Sequence, residues 1–161
     1  MMDAWVVPSG GDWALRRAGA LHFESTEGCT VSQCAFVRTD ANSIMVSGYN
    51  RNTTIEQSVF KWLGMSAVAL LGDCEQDDCT AGLQPWGTVL SRNIVSEIGI
   101  IEKQSSALFL GKAALTRVEG CLFFNGPRAM VNFNDGMGGG HNISTSAIWN
   151  TCRESGELNP R

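Results

Sequence analysis

The 161-residue chain is short of the signals that usually assign a protein quickly. Charged residues make up only 17% of it, and the balance is acidic, with a net charge of −4. A protein that binds nucleic acid by neutralising phosphates carries the opposite excess, so nucleic acid is not an expected partner. No apolar run reaches the length of a bilayer-crossing helix, so no membrane span is expected. Neither a CxxC pair nor a Cys/His cluster with zinc spacing occurs, and His22 and His141 stand far apart. The opening MMDAWVVPSGGDW has neither the basic region nor the long apolar core of a signal peptide. Apolar spacings of three and four are nowhere sustained over ten residues, which argues against amphipathic helices. The L-x-x-L-x-L-x-x-N skeleton of leucine-rich repeats is missing as well.

What remains is a 43% hydrophobic chain with 18 glycines, the profile of a folded, sheet-rich and turn-rich protein. Its length suits one domain. Six cysteines are present: Cys29 and Cys34 are five apart, as are Cys74 and Cys79, while Cys121 and Cys152 stand alone. Buried thiols with one local bridge are the expectation. Two N-x-S/T triplets, at Asn52 and Asn142, suit a secreted protein but recur by chance.

An internal repeat organises the chain. Apolar residues five apart recur at Val31/Phe36, Ile55/Phe60, Val89/Ile94, Val118/Phe123 and Ile143/Ile148. A second apolar pair follows each first anchor by 13 and 15 positions, at Ile44/Val46, Val68/Leu70 and Val131/Phe133. Leu108/Leu110 plays this part in the third unit, displaced by an insertion of about six residues, and Leu21/Phe23 is the same pair from an earlier unit. Alternation with period two marks half-buried strands, and glycine-rich corners are expected between them. Repeats of such short strands stack as a solenoid with the aliphatic face inward. The predicted fold is all-β, a single-stranded right-handed parallel β-helix of about five coils. Residues 1–19 lead into the first coil and 20–161 form the solenoid. Val31, Ile55, Val89, Val118 and Ile143 are expected to form one inward stack.

Insertions into a solenoid mark its functional face, because the core cannot absorb them. The longer one runs from Gly72 to Gly87. Its acidic residues Asp73, Glu75, Asp77 and Asp78 have the oxygen chemistry of a calcium site but lack the glycine and spacing of an EF-hand loop. A solvated loop is expected, stapled by Cys74 and Cys79 if the compartment is oxidising. No metal site and no cofactor is assigned.

Five stretches carry a family resemblance: VPSGGDW (7–13), SGYNRNTTI (47–55), GIIEKQSS (99–106), FNGPRAMVNFNDGMGGG (124–140) and WNTCRESG (149–156). Through them the chain resembles right-handed parallel β-helix proteins of the pectate-lyase-like superfamily. The resemblance implies an extracellular protein that acts on or binds a polysaccharide, as a lyase, glycoside hydrolase or epimerase. The alternative is a non-catalytic carbohydrate-binding or structural β-helix. Relatives continue past the RES-G/S segment with further coils, whereas here the chain leaves the pattern at Glu157, so a truncated member is expected.

Polar residues converge on one corner by repeat offset alone. Arg128 follows Val118 by ten, and Arg153 follows Ile143 by ten. Equal offsets stack the two arginines, and their guanidinium groups suit bidentate recognition of a carboxylate. The insertion after Gly99 brings Glu102, Lys103 and Gln104 toward the same corner, and Glu154 follows Arg153. Glu102, Lys103, Arg128, Arg153 and Glu154 are the catalytic candidates, with the two glutamates as the carboxylate pair of a glycosidase. Gln104, Asn132, Asn134 and Asp135 are the substrate-binding candidates. The two asparagines point outward on one strand, beside the position of Phe109 in the coil before. Asn125 and Asn150, each seven after an anchor, are expected to stack as an amide ladder.

Overall fold

A computed structural model describes residues 16–74, 78–134, 142–144 and 147–149. Among these residues every regular element is a strand. The described residues begin with β1 (Gly19–Glu27) as their first strand and then repeat a three-strand unit. The first unit is β2 (Thr30–Ser32), β3 (Ala35–Val37) and β4 (Asn42–Arg51), and the second β5 (Thr54–Glu56), β6 (Val59–Lys61) and β7 (Val68–Leu71). After the short β8 (Pro85–Trp86) come β9 (Val89–Ser91), β10 (Ile94–Ser96) and β11 (Leu108–Gly111). A fourth unit holds β12 (Arg117–Glu119), β13 (Leu122–Phe124) and β14 (Val131–Phe133), followed by β15 (Asn142–Ser144) and β16 (Ala147–Trp149).

Each strand pairs in parallel with its counterpart in the next unit. Three stacked sheets result: β1-β4-β7-β11-β14, β2-β5-β9-β12-β15 and β3-β6-β10-β13-β16, with β8 on the end of β4. This all-β arrangement of stacked parallel sheets is compatible with a parallel β-helix. No helix among the described residues is long and apolar enough to cross a membrane.

The spacing of five between apolar anchors follows from the corners. A strand of three residues ends in one residue of left-handed conformation, and the next residue turns inward before the following strand. At all twelve corners of the four units that residue has positive φ: Gly28, Asn52, Gly87 and Leu115 between the first and second sheets, Gln33, Gln57, Arg92 and Gly120 between the second and third, and Arg38, Trp62, Glu97 and Asn125 between the third and first. The corners are therefore not glycine-rich; nine of the twelve carry a side chain. An L-residue pays about 1–2 kcal/mol for this conformation. Hydrogen bonding between coils offsets the cost. The N–H of Gln33 donates to Glu56 O, that of Arg38 to Lys61 O and that of Gln57 to Ser91 O, in each case the carbonyl just before the next coil's corner.

The mid-strand residues fill the interior. Val31 pairs with Ile55, Ile55 with Leu90, Leu90 with Val118, and Val118 with Ile143. The third member of the inward stack is thus Leu90 and not Val89, and its partner five residues on is Val95 and not Ile94. Val89 is half-buried and Ile94 is 43% exposed on the outer surface. Adjacent apolar residues at both places let either frame satisfy the spacing of five. With the anchor at Leu90 the interval from Val95 to Leu108 is 13 positions against eight in the other units, so five residues are inserted there. Phe60, fully buried, stacks on Phe36 with centroids 4.9 Å apart and rings 4° from parallel.

A second apolar cluster lies on the outer side of the first sheet, where Met45, Ala69, Leu71 and Phe109 are all buried. Arg17 reaches across this side. Its guanidinium donates to Ser47 Oγ at 2.9 Å and to Gly72 O at 3.3 Å, and pairs with Asp73 at 2.8 Å.

Candidate functional site

The corner between the third and first sheets gathers the candidates that the structure describes. Its left-handed residues, Arg38, Trp62, Glu97 and Asn125, each stand seven after the inward anchor of their coil. Asn125 donates from its amide to Glu97 Oε1 at 2.7 Å. Asn150, the partner expected for Asn125 in an amide ladder, lies outside the described residues. Trp62 and Arg38 belong to the same column, which motif spacing around Arg128 does not reach. Counting seven from Val31 and Ile55 finds them.

The five-residue insertion is folded down against the coil before it. Ile100 N–H donates to Leu63 O at 3.0 Å, and the N–H groups of Ile101 and Glu102 both donate to Gly64 O, at 3.1 and 2.9 Å. Gly64 is required there because a Cβ would lie 2.1 Å from Asp40 O. Gly99, which opens the insertion, has φ +64, and a Cβ on it would meet Pro127 at 2.4 Å. With the inward anchor at Leu90, offset ten in the third unit is Ile100, the counterpart of Arg128 in the fourth.

Within the loop, the charged candidates hold backbone. Glu102 Oε1 accepts the N–H of Gln104 at 3.1 Å, its carbonyl accepts from Ser105 Oγ at 2.7 Å, and Lys103 Nζ donates to Ile100 O at 3.2 Å. Glu102 is half-buried, while Lys103 and Gln104 are exposed. Arg128, also exposed, donates from Nη1 to Gln104 Oε1 at 2.9 Å, joining the insertion of the third coil to the corner of the fourth. The structure thus brings Glu102, Lys103, Gln104 and Arg128 together. Arg153, Glu154 and Asp135 lie outside the described residues, and with them the arginine stack and the carboxylate pair.

Asn132 pairs in register with Phe109, Ala69 and Met45 on the outer side of the first sheet. Asn132 and Asn134 are half-buried, and the amide nitrogens of both are enclosed without a hydrogen-bond partner among the described residues. Phe109 is only 2% exposed, so its ring is a filler beneath the asparagines and not a surface on which a sugar could stack.

On the longer insertion, Cys74 and Cys79 form a disulfide. Cys29 and Cys34 are free thiols, as is buried Cys121, whose pKa burial pushes up. Asp73 is held by Arg17, and Asp78 Oδ1 accepts the Thr80 N–H at 2.9 Å; hydrogen bonding from the Thr80 side chain first, and from its N–H second, lowers the Asp78 pKa. Glu75 and Asp77 lie outside the described residues. Among the described residues no three His, Cys, Asp or Glu side chains gather as a metal-ligand set.

In comparisons with known proteins, no family model, no curated protein and no solved structure matches this chain. The site therefore stands on its own geometry.

Proposed function

We propose that the chain is a right-handed parallel β-helix related to the pectate-lyase-like superfamily, and that it binds a polysaccharide outside the cell. The binding face is the corner formed by Glu102, Lys103, Gln104 and Arg128, continued along Asn132 and Asn134. One observation carries this reading. Arg128 and Gln104, both exposed, join two coils at 2.9 Å, and a guanidinium beside an amide is a donor set that the hydroxyl, ring and carboxylate oxygens of a sugar polymer can accept from. The disulfide of the longer insertion supports an oxidising compartment. Glu154, which the sequence pairs with Glu102 as a second carboxylate, lies outside the described residues, and the reading is stated for binding alone.

The test is a binding panel of plant and algal polysaccharides read by affinity electrophoresis and calorimetry. At least one polymer is expected to bind, with Arg128→Ala abolishing the interaction at unchanged folding. Failure of every polymer to bind overturns the proposal. Product analysis on the same panel reads catalysis separately: ultraviolet-absorbing unsaturated uronates indicate a lyase, and new reducing ends without that absorbance indicate a hydrolase.

A further inference from the structure

Most asparagines among the described residues serve the fold. Asn42, Asn50 and Asn93 are buried, and each gives its amide to backbone carbonyls. Asn125 is half-buried and donates to Glu97, and Asn132 and Asn134 are half-buried on β14. Asn52 alone of the described asparagines is exposed, and its side-chain amide makes no hydrogen bond among the described residues. It also opens the acceptor triplet Asn52-Thr53-Thr54.

The corner between the first and second sheets holds that amide in the open. Asn52 has φ 53, and its N–H is fixed on Trp86 O at 2.9 Å. Its neighbours in the corner column, Gly28 in one coil and Gly87 in the next, carry no side chains. A Cβ at Gly87 would lie 2.7 Å from Asn52 Oδ1, so the asparagine side chain leans over the space that this glycine leaves. A Cβ at Gly28 would meet nothing within 4 Å. Thr53 is buried, whereas half-buried Thr54 lies on the outer side of β5 between Thr30 and Val89. Amide and hydroxyl, the two groups the triplet requires, therefore share the outer surface. The left-handed corner does not itself call for asparagine, because Gln, Arg, Leu, Trp and Glu fill the same kind of position elsewhere in the chain.

Resting on the extracellular location proposed above, we infer that Asn52 is an N-glycosylation site. The co-reactant is a lipid-linked oligosaccharide diphosphate. Asn52 Nδ2 bonds to the anomeric carbon of its first sugar as the bond from that carbon to the diphosphate oxygen breaks. The lipid diphosphate leaves, the amide proton passes to a base of the transferase, and nothing is oxidised or reduced. The Cys74–Cys79 disulfide fits the same oxidising, secretory compartments. A bulky, hydrated modification belongs on an exposed surface, and this corner supplies one. Glu102, Gln104 and Arg128 gather at a different corner, between the third and first sheets, so a glycan on Asn52 leaves the candidate binding face open.

The test translates the full chain, behind a cleavable secretory leader, in the presence of microsomes and scores the protease-protected product. Peptide-N-glycosidase in heavy-oxygen water then turns each glycosylated asparagine into a labelled aspartate, which peptide mass spectrometry locates. Label at Asn52 is expected. Thr54→Ala should remove it and Thr54→Ser should retain it, because transfer depends on the hydroxyl at that position. Imported chain without label at Asn52 overturns the inference, as does label that persists in Thr54→Ala. The polysaccharide reading fails separately. A labelled chain that binds no polymer of the panel removes that reading and leaves Asn52 as assigned, and an unlabelled chain that binds a polymer removes this one alone.

Discussion

The side-chain oxygen of Asn93 accepts the backbone N–H of Ser58, one coil earlier, at 3.0 Å. The amide nitrogen of Asn93 donates in turn to Ile55 O at 2.8 Å. Ser58 repeats the device downward, its hydroxyl accepting the N–H of Cys34 at 3.1 Å, and Cys121 repeats it upward, its sulfur accepting the N–H of Asn93 at 3.4 Å. These are the inward residues that follow the left-handed corner between the second and third sheets. The backbone there turns its N–H into the interior, where water cannot reach it, so a side chain from the next coil takes its place.

Asn93→Leu should expose the value of this ladder. It leaves Ser58 N–H unsatisfied in a site where Asn93 is 1% exposed, while Ile55 O keeps its partner in the β5–β9 ladder. A stranded buried group costs about 1–3 kcal/mol. A loss of about 1–3 kcal/mol in unfolding free energy is expected by denaturant titration. A loss below about 0.5 kcal/mol would mean that the ladder contributes nothing.

The corners invite the opposite experiment. Leu115 holds φ 52 with an exposed side chain. Leu115→Gly removes the left-handed penalty and adds some chain entropy to the unfolded state, for a net gain of about 0.5–1 kcal/mol. Gly99→Ala should do the reverse, because its new Cβ would collide with Pro127 in a left-handed position. Thermal melts of the two variants should move in opposite directions, and a shared direction would refute the corner argument.

Tyr49 is the chain's one tyrosine, so its phenolate absorbance reports a single group. Its hydroxyl donates to Glu27, which holds the pKa above the ordinary value of 10.0, with a coulombic contribution from the same carboxylate. Arg51, 4.1 Å from the ring centroid, pulls the other way. A raised folded-state pKa means that the contact stabilises fully below the unfolded value. That contribution is lost as pH rises through the folded one. Spectrophotometric titration should place the native midpoint above that of the denatured chain, and Glu27→Ala should bring it down. A midpoint unmoved by Glu27→Ala would remove Glu27 as the cause.

Strand, corner and the parallel stacking of successive units are legible in the sequence because spacing of five is a backbone property: three residues of strand and two of corner repeat whatever the side chains. The corner residues themselves are not legible. Gln33, Arg92 and Leu115 have no intrinsic preference for positive φ, and the hydrogen bonds between coils that hold Gln33 and Arg92 there exist only after stacking. The loop geometry of the site was half legible. Offset ten placed Arg128 at the insertion, and it does meet Gln104. That Glu102 and Lys103 would bind their own loop's backbone is a local closure that no offset encodes. Trp62 was missed because its column is defined by the anchors of other coils and not by any motif around it.

The frame of the third coil shows where periodicity runs out, and it can be tested by two substitutions one residue apart. Val89-Leu90 and Ile94-Val95 are apolar doublets, so spacing of five fits two frames. A second pattern separates them: a threonine stands two before the inward residue at Thr53, Thr88 and Thr116, all buried, which assigns the interior to Ile55, Leu90 and Val118. Leu90, 1% exposed and stacked between Ile55 and Val118, leaves a cavity when truncated. Leu90→Ala is expected to cost about 2–5 kcal/mol. Val89, on the outer side between Thr54 and Arg117, leaves none, and Val89→Ala should cost less than about 1 kcal/mol. Equilibrium unfolding of the two variants reads the frame directly. The reverse order of losses would restore Val89 to the inward stack and shift every outward side chain of the third coil by one position.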